Sequence, residues 1–313
     1  MTIERADSDP GRENPERTVQ LGHTPPTGQD TKGADQDSRF TVDNMRLAWT
    51  TDIHLNFVDG TKRRSFLTSL ARDADAVVIT GDIGESADVC DYLREIETAL
   101  QRPIYFVLGN HDFYRGSIVE TQQAVKRLAA ESQYLVYLTT SGVVKLTPRT
   151  ALMGHDGWAD GRLGDFEHSD VILNDYALIK ELQWWQRGFL DKRNLGAKLH
   201  ALGDEAAENL KGKLLQATEQ HGNAIVATHV PPFREATWHE GRVSDDNWLP
   251  HFSCKAVGDA LLKTMKSRPD ADLLVLCGHT HGAGEANLLP NLRVLTGGAT
   301  YGAPAVQCVI EVA

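Results

Sequence analysis

The chain has 313 residues, 41% of them apolar, and a formal net charge of −11 at pH 7. That length allows one large α/β domain or two small ones, each with a real core. The acidic balance argues against a general nucleic-acid binder, because a phosphate backbone is repelled unless a local basic strip overcomes the field. Lys62-Arg63-Arg64 is the tight basic cluster, and it reads as the solvated start of a helix. The four cysteines, Cys90, Cys254, Cys277 and Cys308, show no C-x-x-C spacing. Reduced thiols in a cytoplasmic protein are expected, not a disulfide framework or a thiolate metal site. No apolar leader and no run of 18 apolar residues is present, so neither a secretory signal nor a membrane partner is expected.

Residues 1–43 are rich in Pro, Gly, Asp, Glu and Arg and poor in aliphatic clusters. Such a segment buries too little apolar surface to offset its chain entropy, so a disordered tail is predicted, followed by one domain over 44–313. MRLAWT (45–50) reads as a strand, 61–72 as a helix, and AVVIT (76–80) as a buried strand. A helix over 86–100, a strand at PIYFVL (103–108) and a helix over 116–131 follow. This alternation predicts parallel strands covered by helices. YLVYL (134–138), VVKL (143–146) and TALMG (150–154) are three short strands with turns between them, which predicts a meander. Residues 173–220 have helical composition, with breaks expected near Gly188, Gly196 and Gly203. AIVATH (224–229), LLVLCGH (273–279), LRVLTGG (292–298) and AVQCVIEV (305–312) return to strands.

Five apolar runs end in an unusual set of polar side chains. WTTDIH ends in Asp52 and His54, and VITGDIG in Asp82. VLGNHD ends in Asn110, His111 and Asp112, IVATHVPP in His229, and VLCGHTHG in His279 and His281. In α/β sheets the carboxyl ends of parallel strands converge on one edge, where ligands bind. Residues i and i+2 of an extended segment share a side, so Asp52 and His54 are expected to grip one object. The donors are oxygen and imidazole without thiolate, which suits Mn, Fe, Zn, Ni or Co. Seven side chains exceed one tetrahedral zinc. They suit two divalent ions roughly 3.5–4 Å apart that share a carboxylate. Asp82, alone at its strand end, is the natural bridge.

D-x-H, G-D, G-N-H-D, a lone H and G-H-x-H, in this order and after apolar strands, resemble the calcineurin-like metallophosphoesterase superfamily over residues 52–281. The resemblance implies a four-layer αββα sandwich: two mixed β-sheets flanked by helices, with a two-metal site at the strand ends. It implies that Asp52, His54, Asp82 and His281 bind one metal, and that Asp82, Asn110, His229 and His279 bind the other. His111 would face the substrate as a general acid or charge stabiliser, with Asp112 orienting its ring and raising its pKa. The implied reaction is hydrolysis of a small phosphoester, as a phosphodiesterase or phosphatase, by a hydroxide bridging the metals.

Two further segments are candidates to shape a substrate pocket. GHDGWADGRLGD (154–165) offers His155, Asp156 and Arg162. The insert 233–255 offers Trp238, His239 and Trp248 as a lid that stacks on a base or an aromatic leaving group. A Ser/Thr protein phosphatase would read R-G-N-H-E where this chain reads Leu108-Gly109-Asn110-His111-Asp112. The alternatives are a nuclease of the same superfamily, disfavoured by the acidic charge, and a non-catalytic scaffold, which would be expected to lack ligands that are all present here.

Overall fold

A computed structural model of the chain describes residues 18–20, 44–72, 74–186 and 188–313. The elements run as follows. First come β1 (Thr18–Gln20), β2 (Met45–Thr50), α1 (Gly60–Ala71), β3 (Ala76–Thr80), α2 (Val89–Leu100), β4 (Ile104–Val107), α3 (Ile118–Glu131) and β5 (Leu135–Tyr137). The middle holds β6 (Val144–Lys145), β7 (Thr150–His155), α4 (Asp175–Leu178), the hairpin β8 (Trp185–Gln186) and β9 (Phe189–Leu190), and α5 (Lys192–Gln220). Then come β10 (Asn223–Thr228), the hairpin β11 (Trp238–His239) and β12 (Arg242–Val243), α6 (Leu249–Phe252), α7 (Lys255–Lys266), β13 (Asp272–Cys277), β14 (Gly284–Leu289), β15 (Leu292–Thr296) and β16 (Val306–Val312).

Two six-stranded mixed sheets result, ordered β1-β16-β2-β3-β4-β5 and β14-β15-β13-β10-β7-β6. The central strands are buried on both faces, which is why they read as continuous apolar runs. In β3, Val77 and Ile79 pack toward α1 and α2, while Ala76 and Val78 pack into the layer between the sheets. In β13, Leu273 and Val275 face the α5–α7 layer, while Leu274 and Leu276 enter the same inter-sheet layer. The period-2 alternation therefore separates three apolar layers, giving the αββα sandwich. Helix starts are capped as the sequence dictates. Asp59 accepts from Thr61 and Lys62 N–H at α1, and Ser117 from Glu120 N–H at α3.

Three expectations differ from the structure. The short strand β1 pairs in parallel with β16 (Thr18↔Val309), and the rest of the expected tail lies outside the described residues. The meander does not form. β5 follows α3 and takes the next parallel position beside β4 (Ile104↔Leu135), whereas β6 and β7 pair antiparallel in the other sheet. Short apolar strands look alike in sequence, and the α3 crossover decides which sheet receives the first of them. Lys192–Gln220 is one helix that runs through Gly196 and Gly203. At Gly203 an added Cβ would lie 2.5 Å from the Asp160 Cβ, so this glycine permits close packing instead of ending the helix.

Candidate metal centre

The five polar strand ends meet along one edge shared by both sheets. Asp52 N–H donates to Gly81 O (3.0 Å) and His54 N–H to Asp82 O (2.9 Å), which ties the β2 and β3 ends together. Gly278 N–H donates to His229 O (2.9 Å), which ties the β13 end to the β10 end. His229 Nδ1 lies 2.8 Å from Thr80 O and so reaches across from one sheet to the other.

The backbone at these ends is not extended. Asp52 (φ 48°), His54 (φ 40°), Asp82 (φ 55°), His279 (φ 71°) and His281 (φ 56°) all occupy the left-handed region. The expected i, i+2 alternation of a strand is therefore not what aims Asp52 and His54; successive left-handed turns do. Each such residue costs on the order of 1–3 kcal/mol, and a concentration of them marks a functional site. Close approach accounts for the glycines of G-N and G-H. An added Cβ would lie 2.2 Å from Asp82 Oδ1 at Gly109 and 2.1 Å from Asp52 Oδ2 at Gly278.

Asp52, His54, Asp82 and His281 each offer a ligand atom, all within 4.8 Å of one another, and form a group that can hold a metal ion. The Nε2 atoms of His54 and His281 face each other at 3.2 Å, and His281 Nε2 lies 3.5 Å from Asp52 Oδ1. Asp52 is held by Thr51 Oγ1 (2.6 Å) and by His279 N–H (3.1 Å to each oxygen). Burial, then the neighbouring His111, His281 and His229, holds His54 well below its usual range, so its ring is neutral. Burial, then Asp52 and Asp112, pushes Asp82 well above the usual carboxylate range. A neutral imidazole at His54 crowded against a buried carboxylate of raised pKa at Asp82 is what a cation relieves.

A second group adjoins the first through Asp82. Its Oδ2 lies 3.7 Å from His54 Nε2, and its Oδ1 lies 3.4 Å from His229 Nε2. His229 Nε2 and His279 Nδ1 each sit 3.0 Å from Asn110 Oδ1. Neither imidazole has a proton to give there. His229 donates its N–H from Nδ1 to Thr80 O, and His279 donates from Nε2 to His251 O (3.0 Å). Two lone pairs and an amide oxygen thus converge without a donor, an arrangement completed by a cation. The Asn110 amide is turned this way because its Nδ2 donates to Asp175 Oδ1 (2.9 Å), which also accepts from the Tyr114 hydroxyl (2.7 Å).

His111 lies beside both groups. Its ring stacks on Tyr114 (centroids 4.2 Å, 29°), and its Nε2 lies 4.0 Å from Asp82 Oδ2. Burial, then His281, His229 and His279, holds its pKa well below the usual imidazole range. The expectation that Asp112 orients this ring and raises its pKa is corrected. The Asp112 carboxylate accepts from three backbone N–H groups, those of Ile83, Gly84 and Gly109, each at 2.8 Å. It therefore pins the β3 and β4 loops together.

The expected substrate contacts are placed differently. Asp156 is buried and saturated. It accepts from Leu108 N–H (2.8 Å), Gln122 Nε2 (3.0 Å), the Thr139 hydroxyl (2.6 Å) and the Tyr137 hydroxyl, so it joins strand ends instead of facing a ligand. His155 is buried and accepts Gly157 N–H at Nδ1 (3.1 Å). Arg162 is drawn to Asp160 (3.0 Å) and Asp204 (2.8 Å) on α5, beside the surface between α5 and α7. Trp238 lies on Gly284, with a buried indole N–H that has no partner among the described residues. His239 Nδ1 lies 3.1 Å from Thr280 O, and its ring packs on Trp248 (5.4 Å) and Phe252 (5.3 Å). Phe252 in turn meets His279 edge-on (5.4 Å, 87°), so this insert borders the second group through Phe252. The sequence reading missed Asp175, Tyr114, Phe57 and Tyr301. None carries a motif that separates it from ordinary acidic or aromatic residues.

No helix among the described residues is long and apolar enough to cross a membrane. No curated protein matches the sequence. Among solved structures, the fold is similar to a phosphopantetheinyl hydrolase from Mycobacterium tuberculosis (14% identity, TM-score 0.58, covering 85% of this chain and 95% of that one). It is also similar to a dimetal phosphatase from Danio rerio (14% identity, TM-score 0.50, covering 81% and 87%). The model of the calcineurin-like phosphoesterase family matches residues 45–283, and the chain belongs to that family.

Proposed function

We propose that the protein is a binuclear metal-dependent hydrolase of small phosphoesters. The observation that carries this reading is the position of Asp82, with one oxygen toward His54 and the other toward His229, between two groups of candidate ligands. Asp52, His54, Asp82 and His281 would hold one divalent ion, and Asp82, Asn110, His229 and His279 the other. Mn, Fe, Zn, Ni and Co all suit these donors. Bound, the ions would supply Lewis acidity toward a phosphoryl group and would lower the pKa of a coordinated water.

The chain's own residues do the rest. Thr51, Thr80 and Asp175 hold the donors in register, so little reorganisation is needed as charge builds. His111, whose Nε2 lies 4.0 Å from Asp82 Oδ2, would face the phosphoryl group. Its ring would stabilise negative charge or, when protonated, deliver a proton to the leaving oxygen. The acidic balance of the chain favours a small substrate over a nucleic acid. The test is turnover of p-nitrophenyl phosphate and bis-p-nitrophenyl phosphate by manganese-loaded protein whose metal content has been measured. Hydrolysis of either supports the reading, and their ratio assigns monoester or diester preference. Two bound metals with no turnover of either would assign a scaffold instead.

A further inference from the structure

Two partly exposed aromatic side chains stand beside the candidate ligands. Phe57 ends the short turn Leu55–Phe57 that follows His54, and Tyr301 sits on the loop between β15 and β16. They are 53% and 43% exposed. Their rings meet edge-to-face, with centroids 5.0 Å apart at 63°. The Tyr301 ring lies 4.6 Å from that of His54, 5.0 Å from His281 and 6.2 Å from His111. The two loops are in contact, since an added Cβ at Gly302 would sit 3.4 Å from Phe57 O.

The aromatic groups on the other flank pack on one another. Trp248 and Phe252 stack on each other (5.0 Å, 26°), His239 packs on both, and Phe252 is buried against His279. Their faces serve packing of the insert. An ester whose phosphoryl group lies at the metal donors must project its organic group out of the cleft. On the His54–His281 flank the Tyr301 ring lies against both imidazoles, with Phe57 beside it. An edge-to-face pair already oriented by its own contact offers a stacking surface at low entropic cost.

Resting on the hydrolase reading, we infer that Phe57 and Tyr301 form a specificity wall that receives the organic group of the ester and selects planar aromatic groups over alkyl ones. The insert 233–255 then does not supply the stacking surface. The test uses uncleaved ligands: phenylphosphonate and methylphosphonate, titrated calorimetrically into manganese-loaded protein. Wild type should bind the phenyl compound about tenfold more tightly than the methyl one. Phe57→Ala and Tyr301→Ala should each reduce that preference severalfold, with metal content and methylphosphonate affinity held. Tyr301→Phe, which keeps the ring, should retain it. Equal affinity for the two ligands in wild type, or binding of neither, overturns the inference. Tyr301→Phe matching Tyr301→Ala also overturns it, because the phenol hydroxyl would then be the group that matters. Neither ligand is cleaved, so this result is separate from a failure of the hydrolase reading, which would show as no turnover of nitrophenyl esters.

Discussion

Asp175 Oδ1 accepts the Asn110 amide at 2.9 Å and thereby points Asn110 Oδ1 at His229 and His279. Without that acceptor the amide has little reason to present oxygen in place of nitrogen. Burial keeps Asp175 raised above the usual carboxylate range, which a nearby cation would offset. Asp175→Asn should weaken the second metal position by about 10–100-fold and leave the first nearly intact. Metal titration followed by elemental analysis reads this as loss of one equivalent. Two equivalents bound with wild-type affinity would show that Asp175 does not orient Asn110.

Asp82 touches both groups, so Asp82→Asn should lower occupancy at both positions, while His281→Ala should empty mainly one. A full two equivalents in Asp82→Asn would contradict the bridging assignment.

The His111 ring stacks on Tyr114 and meets His54 edge-on, and it lies outside the two groups of candidate ligands. His111→Ala should therefore retain both metals. If it protonates the leaving oxygen, alkyl esters should slow by about 10²–10⁴-fold and nitrophenyl esters far less, because nitrophenolate leaves without help. An equal loss on both substrates would assign charge stabilisation instead. An unchanged rate on both would remove His111 from the mechanism.

His251 links the candidate site to acid stability. Ser169 gives its hydroxyl proton to Asn247 O, so it accepts from His251 Nε2–H, and His251 Nδ1 accepts from the Tyr176 hydroxyl. Burial, then Lys192 and His279, holds His251 down at about 3 against an ordinary 6.5. The folded pKa is depressed, so the unfolded chain takes up the proton first as pH falls. Stability is lost from near pH 6.5 downward, by roughly 2 kcal/mol between pH 7 and pH 5 from this group. Denaturant unfolding at the two pH values should show a smaller acid loss in His251→Gln than in wild type. Equal losses would contradict the assignment.

The seven candidate ligands were legible because two signals coincide in each: an apolar run long enough for a buried strand, and a polar group at its carboxyl end. The β-α alternation brings such ends together in most arrangements of parallel strands. The order of the elements through α3 was legible for the same reason, since buried strands and amphipathic helices have different periods.

What chain order does not encode is direction at short range and partnership at long range. The left-handed turns at Asp52, His54, Asp82, His279 and His281 exist because neighbouring loops hold them, as Gly81 O holds Asp52 N–H. Asp112 stands beside His111 in sequence yet bonds to Ile83, Gly84 and Gly109 N–H, because three buried amides satisfy a buried carboxylate better than one imidazole edge. Asp175 lies 65 positions from Asn110, and Tyr301 lies 247 positions from His54; no local pattern links either pair. The residue types that bind a metal are set by chemistry that each strand end carries alone. Which side chains orient those donors and which walls face the substrate depend on non-local packing, and only the folded chain decides them.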